Sequence, residues 1–163
     1  MHLSTRQTDV IKEVEEYARV ANSTRDLMTK VVGCLNQRML KYNWVGFYMI
    51  EKGAPGHDDV LVLGPFTGAM TPHTRIPLHQ GLCGAAAASG KTIVVHDVKS
   101  DPRYLACSVE TQSEIVVPIF VKGKVVGELD IDSHFPSAFG PDDQQLVERC
   151  AAIVGHFLES HPA

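Results

Sequence analysis

The sequence predicts an α+β domain: an antiparallel sheet with helices from both ends of the chain on one face and the other face free to form a ligand pocket. Three observations point there. Apolar residues recur at helical spacing near both ends, the middle reads as short β-rich runs, and compact turns separate neighbouring runs.

Val10, Ile11, Val14, Tyr17, Ala18 and Ala21 mark a first helix. Ser23 and Asp26 form a capping-box-like start for a second, which carries Leu27, Val31, Leu35 and Met39. From Trp44 the pattern changes to strands, expected at 44–51, 59–66, 92–95, 114–121 and 124–132. Gly53-Ala54-Pro55-Gly56 supplies one turn, and Lys122-Gly123-Lys124 is short enough for a hairpin. Gly81 to Gly90 encloses Ala85-Ala86-Ala87-Ala88, a good helix former bounded by glycines. After Gly140, Pro141 suits a first helical position, and Asp142 and Asp143 favour the positive end of the dipole. Leu146, Cys150, Ile153, Val154 and Phe157 complete the stripe of a closing helix.

At 163 residues the chain has the size of one domain and can bury a core without disulfides or metals. A net charge of -4 and no Lys/Arg run leave no footprint for nucleic acid, which is not an expected partner. No apolar stretch reaches the roughly eighteen residues of a membrane span, and Met1-His2-Leu3-Ser4 lacks a charged, then apolar leader. The expected location is the cytoplasm, with no membrane partner. Four cysteines at irregular spacing, Cys34, Cys83, Cys107 and Cys150, are then free thiols.

Strand alternation puts Glu128, Asp130 and Asp132 on one face and Leu129 and Ile131 on the other. The acids either form a solvated outer face or line a cavity. In a cavity, mutual repulsion and desolvation raise at least one pKa, and the group can donate a proton or hold an ammonium. Trp44 and Tyr48 share a face of the first strand, as core packing or as the wall of a pocket for a small cationic or zwitterionic ligand. Gly81 and Gly84 let the backbone approach closely around Cys83, and the alanine helix aims its first N–H groups at a place where a carboxylate would fit. Cys83 reads equally as a small buried hydrophobe. Cys107 follows the turn-like Asp101-Pro102-Arg103-Tyr104 and precedes polar residues, a better place for a reactive thiol. Cys34 and Cys150 fall on apolar helix stripes and read as inert core. Among eight histidines, His73, His79 and His96 lack ligand spacing, so no metal is expected. Neither a dinucleotide nor a triphosphate motif is present.

Taken in order, Tyr42-Asn43-Trp44-Val45-Gly46-Phe47-Tyr48, Leu63-Gly64-Pro65-Phe66, Thr74-Arg75-Ile76-Pro77, Gly81-Leu82-Cys83-Gly84, Ala106-Cys107, Ser113-Glu114-Ile115-Val116-Val117-Pro118 and Leu129-Asp130-Ile131-Asp132-Ser133 resemble the GAF-domain free methionine-R-sulfoxide reductases. The resemblance runs from about Leu35 to the last helix. It implies a single GAF domain over residues 1–163, with a core at about 24–160, that reduces free L-methionine-R-sulfoxide. In that family the catalytic cysteine matches Cys107, which attacks the sulfoxide sulfur and passes through a sulfenic acid. Glu114, Asp130 and Asp132 are then expected at the substrate ammonium and sulfoxide oxygen, and Trp44 and Tyr48 at the methyl-sulfur end. No bound cofactor is implied, only thioredoxin or a small thiol as reductant.

The chain departs from the family pattern in one place. His73 stands before Thr74-Arg75-Ile76-Pro77, where three-cysteine members carry the cysteine that discharges the sulfenic acid. Three readings follow: Cys83 resolves in its place, an external thiol reduces Cys107 directly, or the domain is a ligand-binding sensor that has lost catalysis. The apolar side of the first helix could also pair across a two-fold axis to form a homodimer.

Overall fold

Helix α1 (Thr5–Val20) opens on a complete capping box. Ser4 Oγ accepts from the Gln7 N–H at 3.1 Å, and Gln7 Oε1 accepts from the Ser4 N–H at 2.9 Å. The computed structural model that shows this describes residues 3–106 and 108–162. Helix α2 (Thr24–Arg38) starts at Ser23, whose Oγ accepts from the Asp26 N–H at 3.0 Å. The return arm reaches one residue further back than a capping box would, with Asp26 Oδ2 accepting from the Asn22 N–H at 3.1 Å.

The strands are β1 (Trp44–Glu51), β2 (Val60–Thr67), β3 (Arg75–Pro77), β4 (Ile93–Val95), β5 (Ser113–Val121) and β6 (Lys124–Ser133), in one antiparallel sheet of order β3-β2-β1-β6-β5-β4. The five expected strands are all present with ends shifted by a residue at most. Strand β3 was not expected because three residues ending in proline cannot show alternation, and it sits where proline is tolerated, at the sheet edge. The β5–β6 hairpin turns through Lys122 and Gly123 at φ of 52° and 78°, the left-handed pair that a two-residue hairpin loop demands.

Alternation divides the buried side chains in two. Val45 and Phe47 of β1, Ile115 and Val117 of β5, and Leu129 and Ile131 of β6 face a core closed by α1, α2 and α4 (Pro141–Ser160). Burying each fully is worth about 1.5–3 kcal/mol. Cys34 and Cys150 lie in this core, as their stripes predict. The start of α4 is held to the segment just before β1 by the Tyr42 phenol, which donates to Asp143 Oδ1 at 2.5 Å. On the opposite face Trp44, Tyr48 and Val116 form a second, smaller core under α3 (Gly81–Ser89), whose Leu82, Cys83, Ala86 and Ala87 pack onto them. That face is roofed, so polar groups on it are shut in. Among the described residues no helix is long and apolar enough to cross a membrane.

Candidate functional site

Sheet register assembles the site on the α3 face. Asp132 of β6 lies opposite Trp44 on β1 and Glu114 on β5, and Glu128 lies opposite Tyr48. Partners across an antiparallel pair project to the same side, so two aromatics and four carboxyls converge. Asp130 faces Gly46, and the Trp44 ring fills the room above that glycine: a Cβ at position 46 would sit 2.3 Å from Trp44 Cη2.

The acids are buried, which decides against a solvated outer face: Glu114, Glu128, Asp130 and Asp132 are 4, 0, 2 and 3 % exposed. Both oxygens of Glu128, Asp130 Oδ1 and Asp132 Oδ1 find no hydrogen-bond partner among the described residues. Burial therefore dominates their titration. It pushes Glu128 and Asp132 well above the carboxylate range, with the charge of Asp130 adding to both. Asp130 rises for the same reason, partly opposed by hydrogen bonds from Glu114 and Cys83. Carboxyls in such contact share protons, so the cluster is an acid reservoir rather than a set of full charges.

Cys83 stands on the first turn of α3, buried, with its thiol donating to Asp130 Oδ2 at 3.4 Å. Burial and the surrounding carboxylates hold it well above the ordinary thiol value. Its Sγ and one oxygen each of Glu114 and Asp130 lie within 4.8 Å of one another. The histidines take no part in this grouping. Helix α3 begins without a side-chain cap, so its first N–H groups keep their capacity for an acceptor, and Gly81 and Leu82 line the same recess.

The aromatic wall is fixed at its polar tips. The Trp44 indole donates to the Ala69 carbonyl at 3.0 Å, and the Tyr48 phenol donates to the His73 carbonyl at 2.7 Å. The rings of Trp44 and Tyr48 lie 6.2 Å apart, and Phe66 stacks on the far side of Trp44 at 5.7 Å. Two recesses adjoin. One, about 10 Å³, lies among Tyr48, Cys83, Leu105, Glu114 and Asp130. The other, about 140 Å³, lies among Trp44, Met70, Ser108, Asp132 and His134. Leu105 lines the first and lies against Gly81, while Ser108, Glu110 and Thr111 line the second. Larger hollows of about 620 Å³ lie on the outer side, by Arg149 and His156, and contain none of the four carboxyls.

Cys107 lies outside the described residues. Its sequence neighbours are placed: Ser108 lines the larger recess, and the Ala106 carbonyl bonds to His73 Nε2 at 2.8 Å. Of the other expected site residues, Trp44, Tyr48, Cys83, Glu114, Asp130 and Asp132 are brought together. Glu128 was visible on the acidic face but was not expected in the site. Leu105, Met70 and His134 give no sequence signal, because tertiary packing alone puts them there.

Residues 26–158 match the family model described as GAF domain. The chain is 39% identical over 124 residues to the free methionine-R-sulfoxide reductase of Escherichia coli, covering 76% of this chain and 71% of that protein. The substrate-bound crystal structure of free methionine-R-sulfoxide reductase from Neisseria meningitidis superposes with a TM-score of 0.86 at 33% identity, over 98% and 95% of the two chains. The type II free methionine-R-sulfoxide reductase of Thermoplasma acidophilum gives 0.76 at 35%, over 90% and 96%.

Proposed function

The chain belongs to the GAF domain family, and from that premise we propose that it reduces free L-methionine-R-sulfoxide to methionine at Cys107. The observation that carries the reading is the buried set of Glu114, Asp130 and Asp132 beside Trp44 and Tyr48. A zwitterion with a polarised sulfur–oxygen bond suits it. The carboxyls supply counter-charge for the ammonium, the uncapped start of α3 receives the carboxylate, and the aromatic wall takes the methyl-sulfur end.

The high proton affinity of the acids gives the chemistry a donor near neutral pH. Cys107 sulfur attacks the sulfoxide sulfur while an acid of the cluster protonates the oxygen. The oxygen then passes to Cys107 as a sulfenic acid, and methionine leaves. The acidic surroundings disfavour a thiolate, so activation lies more in protonating the sulfoxide than in lowering the thiol pKa. Cys83 then attacks the sulfenic sulfur, a disulfide forms, water departs, and a thioredoxin-like dithiol or a small thiol reduces the product.

Purified protein with dithiothreitol should form methionine from the R epimer and none from the S epimer, and Cys107→Ser should form none from either. Equal activity of that variant and the wild type would sink the assignment. The second reading, a sensor that binds without turnover, is favoured by His73 in place of the usual cysteine. Calorimetric binding of methionine with no turnover under any thiol would select it.

A further inference from the structure

Cys83, Glu114 and Asp130 come from α3, β5 and β6, far apart in the sequence, and the fold brings one donor atom of each within 4.8 Å of the others. Among the described residues no other thiol, imidazole and carboxyl donors gather in this way. The expectation that no metal binds rested on histidine spacing, and donors brought together by tertiary packing leave no such spacing.

The Cys83 sulfur and Asp130 Oδ2 stand 3.4 Å apart. A sulfur and an oxygen on one tetrahedral zinc, bonded at about 2.3 and 2.0 Å, are separated by roughly 3.5 Å. Asp130 is 2 % exposed and lines the recess of about 10 Å³ with Cys83 and Glu114, yet its Oδ1 has no hydrogen-bond partner among the described residues. A buried acceptor without a donor is a group that a bound cation satisfies. Two residues back along the same face of β6, Glu128 is a second such carboxyl, 0 % exposed with neither oxygen partnered. The recess has the room of one small ion or water, and it meets the surface at Gly81 and Leu105, which are only partly buried. One sulfur and two carboxylate oxygens suit Zn²⁺ or Cd²⁺, which take few ligands and bond thiolates. Mg²⁺ and Ca²⁺ demand an oxygen shell of about six or more ligands.

We propose that Cys83, Glu114 and Asp130 bind one thiophilic divalent cation of the Zn²⁺ class, and that this ion excludes the substrate ammonium. The exclusion rests on the reductase reading, which assigns Glu114 and Asp130 to that ammonium. As the ion binds, one metal–sulfur and two metal–oxygen bonds form. The Cys83 thiol proton, with any proton the two carboxyls hold, passes to solvent, and no electron is transferred. A filled site also withholds the Cys83 sulfur from any disulfide.

The test uses Co²⁺ as the spectroscopic probe and Zn²⁺ as its competitor, on untagged, fully reduced full-length protein carrying Cys107→Ser, so that Cys107 contributes no sulfur band. One equivalent of Co²⁺ should give a thiolate-to-cobalt charge-transfer band in the near ultraviolet together with the strong visible bands of four-coordination, and one equivalent of Zn²⁺ should abolish both. Cys83→Ser in the same background should lose the charge-transfer band. Asp130→Asn and Glu114→Gln, each checked for folding by circular dichroism, should bind Zn²⁺ on the order of a hundredfold more weakly. A folded parent without the sulfur band at saturating Co²⁺, which would mark surface histidine binding only, overturns the site, and so does a band that survives Cys83→Ser. Carboxyl variants that bind as tightly as the parent overturn the donor set, and one folded variant of the pair suffices to read it. In the wild type, methionine release from the R sulfoxide is then followed in a single turnover without added thiol. Saturating Zn²⁺ should abolish the release, and a chelator or excess sulfoxide should restore it. Undiminished release with the site filled overturns the exclusion. Absence of release from metal-free wild type defeats the reductase reading and the exclusion with it, while the metal site stands or falls on the cobalt spectra.

Discussion

His73 Nε2 and the carbonyl oxygen of Ala106 lie 2.8 Å apart, so a ring just before β3 holds the segment that carries Cys107 in sequence. The backbone of His73 is itself anchored. Its carbonyl accepts the Tyr48 phenol at 2.7 Å, and its N–H donates to Thr71 Oγ1 at 3.1 Å. A carbonyl acceptor requires a proton on Nε2, which both the neutral Nε2–H tautomer and the imidazolium provide.

His73→Ala removes one hydrogen bond of about 1 kcal/mol. If that bond positions the loop, kcat/KM for the R sulfoxide should fall about fivefold. His73→Gln, which keeps an N–H at similar reach, should retain most of the activity. Steady-state kinetics decide it, and an unchanged kcat/KM in the alanine variant would show that the contact carries nothing.

Cys34 and Cys150 are both pushed up to about 12, chiefly by burial. The thiolate is the reactive form, so neither should react in the native state at about pH 8. Native protein treated with iodoacetamide should carry no label at either position by mass spectrometry, and urea-unfolded protein should carry label at both. Native labelling at Cys150 would contradict its place on the buried face of α4.

Both cysteine assignments were legible in the sequence because helical periodicity reports which face is buried. The acids show where such reasoning stops. Alternation put Glu128, Asp130 and Asp132 on one face but could not say whether that face met water, since the answer depends on α3, which crosses from elsewhere in the chain. Glu114 could be placed by family resemblance, whereas Glu128 became significant only once it was found fully buried. Strand β3 stayed hidden for a related reason: its pairing with β2, not its own pattern, makes it a strand.

Gly155 lies where α4 crosses β5. A Cβ there would stand 2.5 Å from the Phe120 carbonyl oxygen, a backbone atom that cannot turn aside. Glycine to alanine inside a helix usually gains about 1 kcal/mol. Here the helix must move off the sheet, so Gly155→Ala should be net destabilising by about 1–3 kcal/mol. Urea unfolding measures the sign, and a more stable variant would mean that α4 is not seated this closely.

Glu128, Asp130 and Asp132 hold protons more tightly in the folded chain than in the unfolded one, where the usual values are 4.5 for Glu and 3.8 for Asp. Their contribution to stability is fully present below those usual values. As pH rises through the raised folded values, the native state binds more protons than the unfolded state, and stability falls by up to about 1.4 kcal/mol per pH unit for each group. Asp132→Asn removes one such group, so the variant should gain on the wild type as pH rises from about 5 to 8, when urea unfolding of the reduced, ligand-free proteins is compared. Methionine should narrow that gap, because its ammonium stabilises the ionised carboxylate that the asparagine variant lacks. It should therefore stabilise the wild type more at the upper end of the range than at the lower. A difference between the two proteins that stays constant with pH would mean that Asp132 is ionised in the empty site, and that the cluster does not store the protons which the proposed sulfoxide chemistry requires.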